Sequence, residues 1–357
     1  MKTYTKFLLR HFFNSFVKIS FILTALILII NIFEEIDFFK RYEVHFLFPM
    51  FMSFLNTPSI IFEVFPFIFL IATQVFFIKL IDSHELKIFK YSGLRNLRIL
   101  TIISVFTFFL GIIIITLFYN MTSQFKNQYI KIKNNYSNDN KYLAVITENG
   151  LWIRDEMSKN INIINASQID GKFLIDVSIV QFNKNNQFYR LIDTKKVDIS
   201  RKEWVIYEPT INKNNKTEVI DSLLLNTNFD LQKINSLFSN LSSLTIFELY
   251  DLRKNYKKLN YSTVEIKMHL LKIFSYPIYL TIITVLSGIL MFNIKHQKNS
   301  IFKIVLGIFI SVVVYYLNYF FYVLGNNQKI PITFAIWLPL IMLTIVNFSF
   351  IIKINEK

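Results

Sequence analysis

Few residues in this chain are of types and at spacings that could make or break a bond. Its five histidines, His11, His45, His84, His269 and His296, fall on separate segments, with neither His-x-x-x-His nor His-Glu-x-x-His spacing. Two imidazoles therefore never share a helix face in the way a zinc site needs. Cysteine is absent, which removes thiolate ligands, disulfides and a thiol nucleophile. The one Gly-Lys pair, Gly171-Lys172, is followed by Phe173, so no phosphate-cradling Gly-x-x-x-x-Gly-Lys-Ser/Thr loop exists. No Gly-x-Ser-x-Gly elbow occurs either, and no paired acidic cluster falls inside a span. The expectation is no catalytic residue, no metal and no directly bound cofactor.

What the chain does offer is charge at the ends of apolar runs. Between 81 and 98, Leu86, Ile88, Phe89, Leu94 and Leu97 are interleaved with Glu85, Lys87, Lys90, Arg95 and Arg98. This suits a short helix docking on a soluble partner, or a basic loop at a membrane surface. Lys40 and Arg41 follow the first apolar run and would either pair with phosphate or act as interfacial anchors. Tyr315, Tyr316, Tyr319, Phe320 and Tyr322 form an aromatic stripe, which reads as packing with an interfacial belt or as a wall against lipid.

Membrane helices must position these groups. Of 357 residues, 53% are hydrophobic and only 18% charged, and crossing a hydrocarbon layer takes roughly 20 apolar residues. Six runs qualify: 19–33, extended back through Phe16, Phe13 and Phe12 past Lys18, then 61–78, 99–119, 273–292, 304–324 and 330–352. The last four contain no acid, Lys or Arg, which weakens a proton relay. The stretch 46–55 reads as a separate short helix, lying at the membrane interface or packed on the bundle and ending near Asn56-Thr57-Pro58, because proline disfavours helix at the residue before it. A net charge of +15 would suggest nucleic acid or anionic lipid as a partner in a soluble protein; the spans redirect that reading to a membrane.

Short segments on one side, including Lys2, Lys295, Lys298 and Lys357, hold fourteen Lys and Arg, against Lys40, Arg41 and Lys329 on the other. Both termini are therefore expected in the cytoplasm and the long middle segment outside. Glu34-Glu35-Ile36-Asp37 stands where small residues of a cleavage site would follow the first span, so that span is expected to be retained.

The organisation is thus 1–119 with spans one to three, 120–268 outside, and 269–357 with spans four to six. Within the middle segment, runs 142–147, 151–154, 161–169, 173–182, 188–200 and 204–211 are separated by polar turns at Glu148-Asn149-Gly150, Lys184-Asn185-Asn186 and 212–215. That regularity predicts an antiparallel sandwich or partial barrel. In 173–182, Phe173, Ile175, Val177, Ile179 and Gln181 share the more apolar face, expected inward, and Leu174, Asp176, Ser178, Val180 and Phe182 the other. Thr245-Ile-Phe-Glu248 and Ser262-Thr-Val-Glu265 have the capping-box form that opens helices, the second running on into span four.

Three blocks give the chain a family resemblance. Pro58 to Pro66 enters span two, and His84-Glu85-Leu86 leads to Tyr91-Ser92-Gly93-Leu94; Gly150-Leu151-Trp152-Ile153-Arg154-Asp155 opens the second strand run; Phe274-Ser275-Tyr276-Pro277 and Ile330-Pro331 with Ala335-Ile336-Trp337-Leu338-Pro339 mark spans four and six. In order and spacing over the whole length, the chain resembles the LptF/LptG lipopolysaccharide-export permease family, most closely LptG. The resemblance implies an α-helical bundle of six transmembrane helices with a periplasmic antiparallel β-jellyroll domain between helices three and four. It also implies an inner-membrane ABC transporter subunit without its own ATPase motif.

The same resemblance implies an LptB-like ATPase dimer that uses ATP, an LptF-like permease, an LptC-like jellyroll protein, and lipopolysaccharide as substrate. Glu85, Leu86, Ser92 and Gly93 would couple to the ATPase. Lys40, Arg41, Ile175, Val177, Tyr315 and Tyr319 would meet lipid, while Asn31 stands where LptG proteins can carry Lys. The alternatives are an LptF-like subunit of the same complex and a non-transporting scaffold or sensor with a periplasmic binding domain.

Overall fold

The computed structural model describes residues 3–136, 142–147, 150–157, 160–183, 187–213, 216–231, 234, 241–258, 262–293 and 300–355. The turns read at 148–149, 184–186 and 214–215, and the loop cations Lys2, Lys295, Lys298 and Lys357, lie outside the described residues. Two compact units are present, Met1–Tyr129 with Lys267–Lys357, and Ile130–Ile266.

The first unit is helical: α1 (Thr3–Phe39), α2 (Leu47–Asp82), α3 (Glu85–Tyr91), α4 (Asn96–Ile113), a π-helical turn (Ile114–Tyr119) leading into α5 (Asn120–Tyr136), and, after the second unit, α7 (Val264–Asn293), α8 (Ser300–Asn326) and α9 (Ile332–Asn355). Among the described residues six helices are long and apolar enough to cross a membrane, one for each expected span. Span three does not stop at 119: the helix continues through α5. Leu70, Ile71, Ile282, Ile283, Leu286, Val314, Leu340 and Leu343 form a buried cluster joining spans two, four, five and six.

Span two corrects the expectation of a break at Pro58. Residues 46–55 are not a separate helix; α2 runs unbroken over 36 residues with Pro58 and Pro66 inside it. Proline is tolerated inside a membrane helix when other groups take over the freed backbone bonds. Around Pro58 two hydroxyls add bonds to neighbouring carbonyls of the helix, Thr57 Oγ1 to that of Ser53 at 2.7 Å and Ser59 Oγ to that of Asn56 at 3.0 Å. Pro66 has no N–H for the carbonyl four residues earlier, that of Phe62. The Tyr276 hydroxyl of span four donates to that carbonyl instead, so two of the sequence blocks complete one another.

The second unit holds β1 (Tyr142–Thr147), β2 (Gly150–Glu156), β3 (Asn160–Asp170), β4 (Phe173–Asn183), β5 (Phe188–Asp198), β6 (Glu203–Tyr207), β7 (Thr210–Lys213), β8 (Lys216–Val219), β9 (Ser222–Asn226) and helix α6 (Ile246–Lys258). All pairings are antiparallel, in the order β1-β2-β3-β4-β5-β6-β9, with β7 on the first half of β5 and β8 on β7. The path is open, with β1 and β9 at its ends. The run read as one strand over 204–211 is two, β6 and β7, because Glu208 takes a left-handed backbone (φ 44°) just before Pro209. Thr245 opens α6 as a reciprocal cap: its N–H and hydroxyl both donate to Glu248 Oε2 at 2.8 Å.

The interior face of this sheet consists of in-register rows. Ile153, Ile164, Ile179 and Ile192 stand side by side across β2 to β5, all at most 1% exposed. The face assignment for β4 needs one correction. Val177, Ile179 and Gln181 point inward, but Leu174 rather than Ile175 continues the buried set. Asp176 sits at φ 49°, and this irregularity shifts the alternation by one residue. Trp204, also fully buried, donates Nε1 to the Phe229 carbonyl at 2.7 Å.

Candidate functional site

The segment between spans two and three forms a short helix, α3, between two fixed ends. His84 adopts a left-handed backbone (φ 61°) between α2 and α3. At the far end Leu94 N–H bonds the Phe89 carbonyl and Gly93 N–H the Lys90 carbonyl, at 2.9 and 3.0 Å, with Gly93 at φ +80°. This is a Schellman cap, in which glycine serves because other residues are strained at positive φ. Ser92 adds its hydroxyl to the Ile88 carbonyl at 2.9 Å. Leu86 is buried within the chain and anchors α3, and the Phe89 ring packs edge-on against Phe7 of span one at 5.9 Å. Glu85 is half-buried in the first turn. The face left outward holds Ile88, 59% exposed, and Tyr91, 89% exposed.

A polar network lies where the C-terminal part of α1 meets the N-terminal part of α2 and α5. Asn31 Nδ2 donates to the Ser53 carbonyl at 3.1 Å and to Thr57 Oγ1 at 3.2 Å, and its Oδ1 accepts Asn56 Nδ2 at 3.1 Å. Lys126 Nζ reaches Asn56 Oδ1 and sits 4.9 Å from the Tyr129 ring centroid. Tyr129 OH donates to Glu35 Oε1 at 2.6 Å. Asn31 and Glu35 are each 1% exposed. Buried polar groups in an apolar medium are costly unless mutually satisfied, so the network fixes one end of span one. Sequence reading singled out only Asn31 of this group. Lys126 and Tyr129 fall in a polar stretch at 120–136, and no local pattern pairs them with residues about 70 to 95 positions away.

Lys40 and Arg41 follow α1 in the next turn, both exposed and without a bonding partner among the described residues. Tyr315 and Tyr319 stack at 6.4 Å with rings 10° apart. With Tyr316 and Phe320 they are all more than half exposed, so this stripe is not part of the chain's own core. Val177 is buried in the β unit and Ile175 is half-buried. Glu85 thus lies on α3, Lys40 in the turn after α1 and Tyr315 on α8, while Val177 belongs to the β unit. Among the described residues no three His, Asp or Glu side chains are grouped to hold a metal.

Close backbone contacts assemble the bundle. A Cβ at Gly111 of span three would stand 2.8 Å from the Pro277 Cα of span four, the small-residue packing expected where helices gain no hydrophobic drive from lipid. Ser287 Oγ donates to the Leu70 carbonyl at 2.8 Å, Asn347 Nδ2 to the Ile282 carbonyl at 3.0 Å, and Gln74 Nε2 to the Lys303 carbonyl at 2.9 Å.

These features define a multi-pass membrane protein with an inserted antiparallel β domain, a short helix closed by a glycine cap, and exposed apolar faces on spans one and five. The model of the lipopolysaccharide export system permease LptF/LptG family matches residues 6–353, and the chain belongs to that family. It is a permease component of lipopolysaccharide export in the inner membrane. Among curated proteins no match is found.

Proposed function

We propose that this chain is the LptG-type half of the export permease, with both termini and α3 in the cytoplasm and the β domain in the periplasm. It draws lipopolysaccharide from the outer leaflet and passes it to its own β domain and then to an LptC-like jellyroll by strand pairing at a sheet edge. An LptF-like subunit completes the permease. ATP is used by an LptB-like dimer that docks on α3, and this chain supplies no catalytic group.

The observation that supports the reading best is the construction of α3. Leu86 and Phe89 tie it inward and Gly93 fixes its exit, while Ile88 and Tyr91 remain outward as an apolar contact. Force applied there reaches spans one, two and three without loss in a flexible loop. Glu85, at the start of the helix, is the polar anchor. In a reconstituted complex, Glu85→Ala is expected to leave co-purification of the permease pair intact and to uncouple ATP turnover from lipid export. Unchanged export would refute the role. A scaffold or sensor would neither co-purify with an ATPase nor raise its lipid-stimulated turnover.

A further inference from the structure

Next to the isoleucine row lies a second in-register row, Asp155, Asn162, Gln181 and Arg190, that crosses the same interior face on β2 to β5. The first three are at most 1% exposed. Gln181 Nε2 donates to Asn162 Oδ1 at 2.7 Å, and Gln181 Oε1 accepts Arg190 Nε. At the other end, Asp155 accepts the Asn228 N–H and Nδ2 at 3.2 and 2.8 Å. A buried amide therefore holds one edge of the Arg190 guanidinium in place, and its two Nη groups have no partner among the described residues.

A register shift beside Gln181 explains what stands next to that guanidinium. Gln181 faces Arg190, whereas Phe182 faces Phe188, so Tyr189 is the extra residue of a bulge. Bulges re-aim side chains. The Arg190 Cζ lies 5.6 Å from the Tyr189 ring centroid, and Lys213 of β7 donates to the Tyr189 hydroxyl at 3.1 Å. The hydrogen bond and charge of Lys213, then the charge of Arg190, lower the Tyr189 phenol below its usual range. Across β7–β8, Lys213 faces Lys216, and the nearest acid on β8, Glu218, faces Ile211. Elsewhere in the domain the contrast is clear: Lys172 pairs with Asp198 at 3.0 Å.

We infer that Arg190, Tyr189 and Lys213 form an anion site that receives a phosphate ester of the transported glycolipid at the polar-row end of the β domain. Arginine's fork matches phosphate oxygens, and holding Nε on a buried amide pre-pays the ordering of that side chain. The inference rests on the proposed passage of lipopolysaccharide through this domain.

The test places a photo-crosslinking residue at Phe188, which is 57% exposed, in the full chain within its reconstituted complex. The probes are bisphosphorylated lipid A and the same lipid stripped of phosphate. Capture of the phosphorylated form is expected to exceed that of the stripped form by roughly tenfold, the effect of one charge-assisted pair. Arg190→Gln with Lys213→Gln should bring the two within about twofold while leaving stripped-lipid capture unchanged. An undiminished preference in that double variant would overturn the site. Inorganic phosphate abolishing capture when merely equimolar with lipid would show a free-anion site and overturn the lipid assignment. Absence of labelling at 188 with ATP-driven labelling at Val177 intact would sink this inference alone; absence at both would sink the transport reading beneath it.

Discussion

Span four and span one are both apolar helices of the same unit, yet 67% of the most apolar window of span four is buried and only 6% of that of span one. Span four meets its neighbours through Gly111 at Pro277, through Tyr276 on the Phe62 carbonyl, and through Ser287 on the Leu70 carbonyl. Span one leaves Phe21, Ile30 and Phe33 at least 60% exposed and is fixed toward its C-terminal end by Asn31 and Glu35. The difference separates a helix covered on most sides by its own chain from one that packs on spans two and three through Leu8, Phe12 and Phe16 yet leaves a broad apolar face outward, where a partner or lipid can cover it.

Four variants break or sharpen this contrast. The largest effect is expected from Gly111→Leu, since nothing at Pro277 Cα can yield: about 3 kcal/mol by overpacking, measured as loss of folded protein in detergent unfolding. Tyr276→Phe leaves the Phe62 carbonyl without its donor, at about 1–2 kcal/mol, and should lower the unfolding midpoint without changing which partners co-purify. Asn31→Leu should cost only about 1 kcal/mol yet change lipid-stimulated ATP turnover more than Tyr276→Phe does; equal effects of the two would erase the functional distinction between the open-faced helix and the covered one. Smallest in stability is Lys40→Glu with Arg41→Glu, both exposed. Unfolding should not shift, while lipid affinity falls by about fivefold per charge, near 1 kcal/mol for each cation at a membrane surface.

The six spans and most strand positions were legible because each rests on local hydropathy or alternation. Interruptions were less legible. Pro58 carries a strong local signal for a helix end, and tertiary context overrides it: Thr57 and Ser59 add bonds to the Ser53 and Asn56 carbonyls, and Asn31 reaches Ser53 from another helix. Asp176 gives no sign in the sequence that its backbone turns left-handed, so Ile175 and Leu174 exchange expected places. The short helix after Glu85 and its tight exit at Ser92-Gly93 could be read, because the parts of that segment are all within ten residues. Lys126 with Asn56, and Arg190 with Gln181 and Lys213, could not, because hydrogen bonds between distant elements leave no periodic trace.

The β domain tests the transport account most directly. Its isoleucine row is fully covered by the chain's own residues, so lipid reaches Val177 only if the domain opens. The decisive measurement is photo-crosslinking from Val177, compared with outward Asp176, in the assembled complex with and without ATP. The account predicts lipopolysaccharide captured at Val177 when ATP is supplied and not otherwise. Labelling at Val177 without ATP, or labelling confined to Asp176, would contradict it.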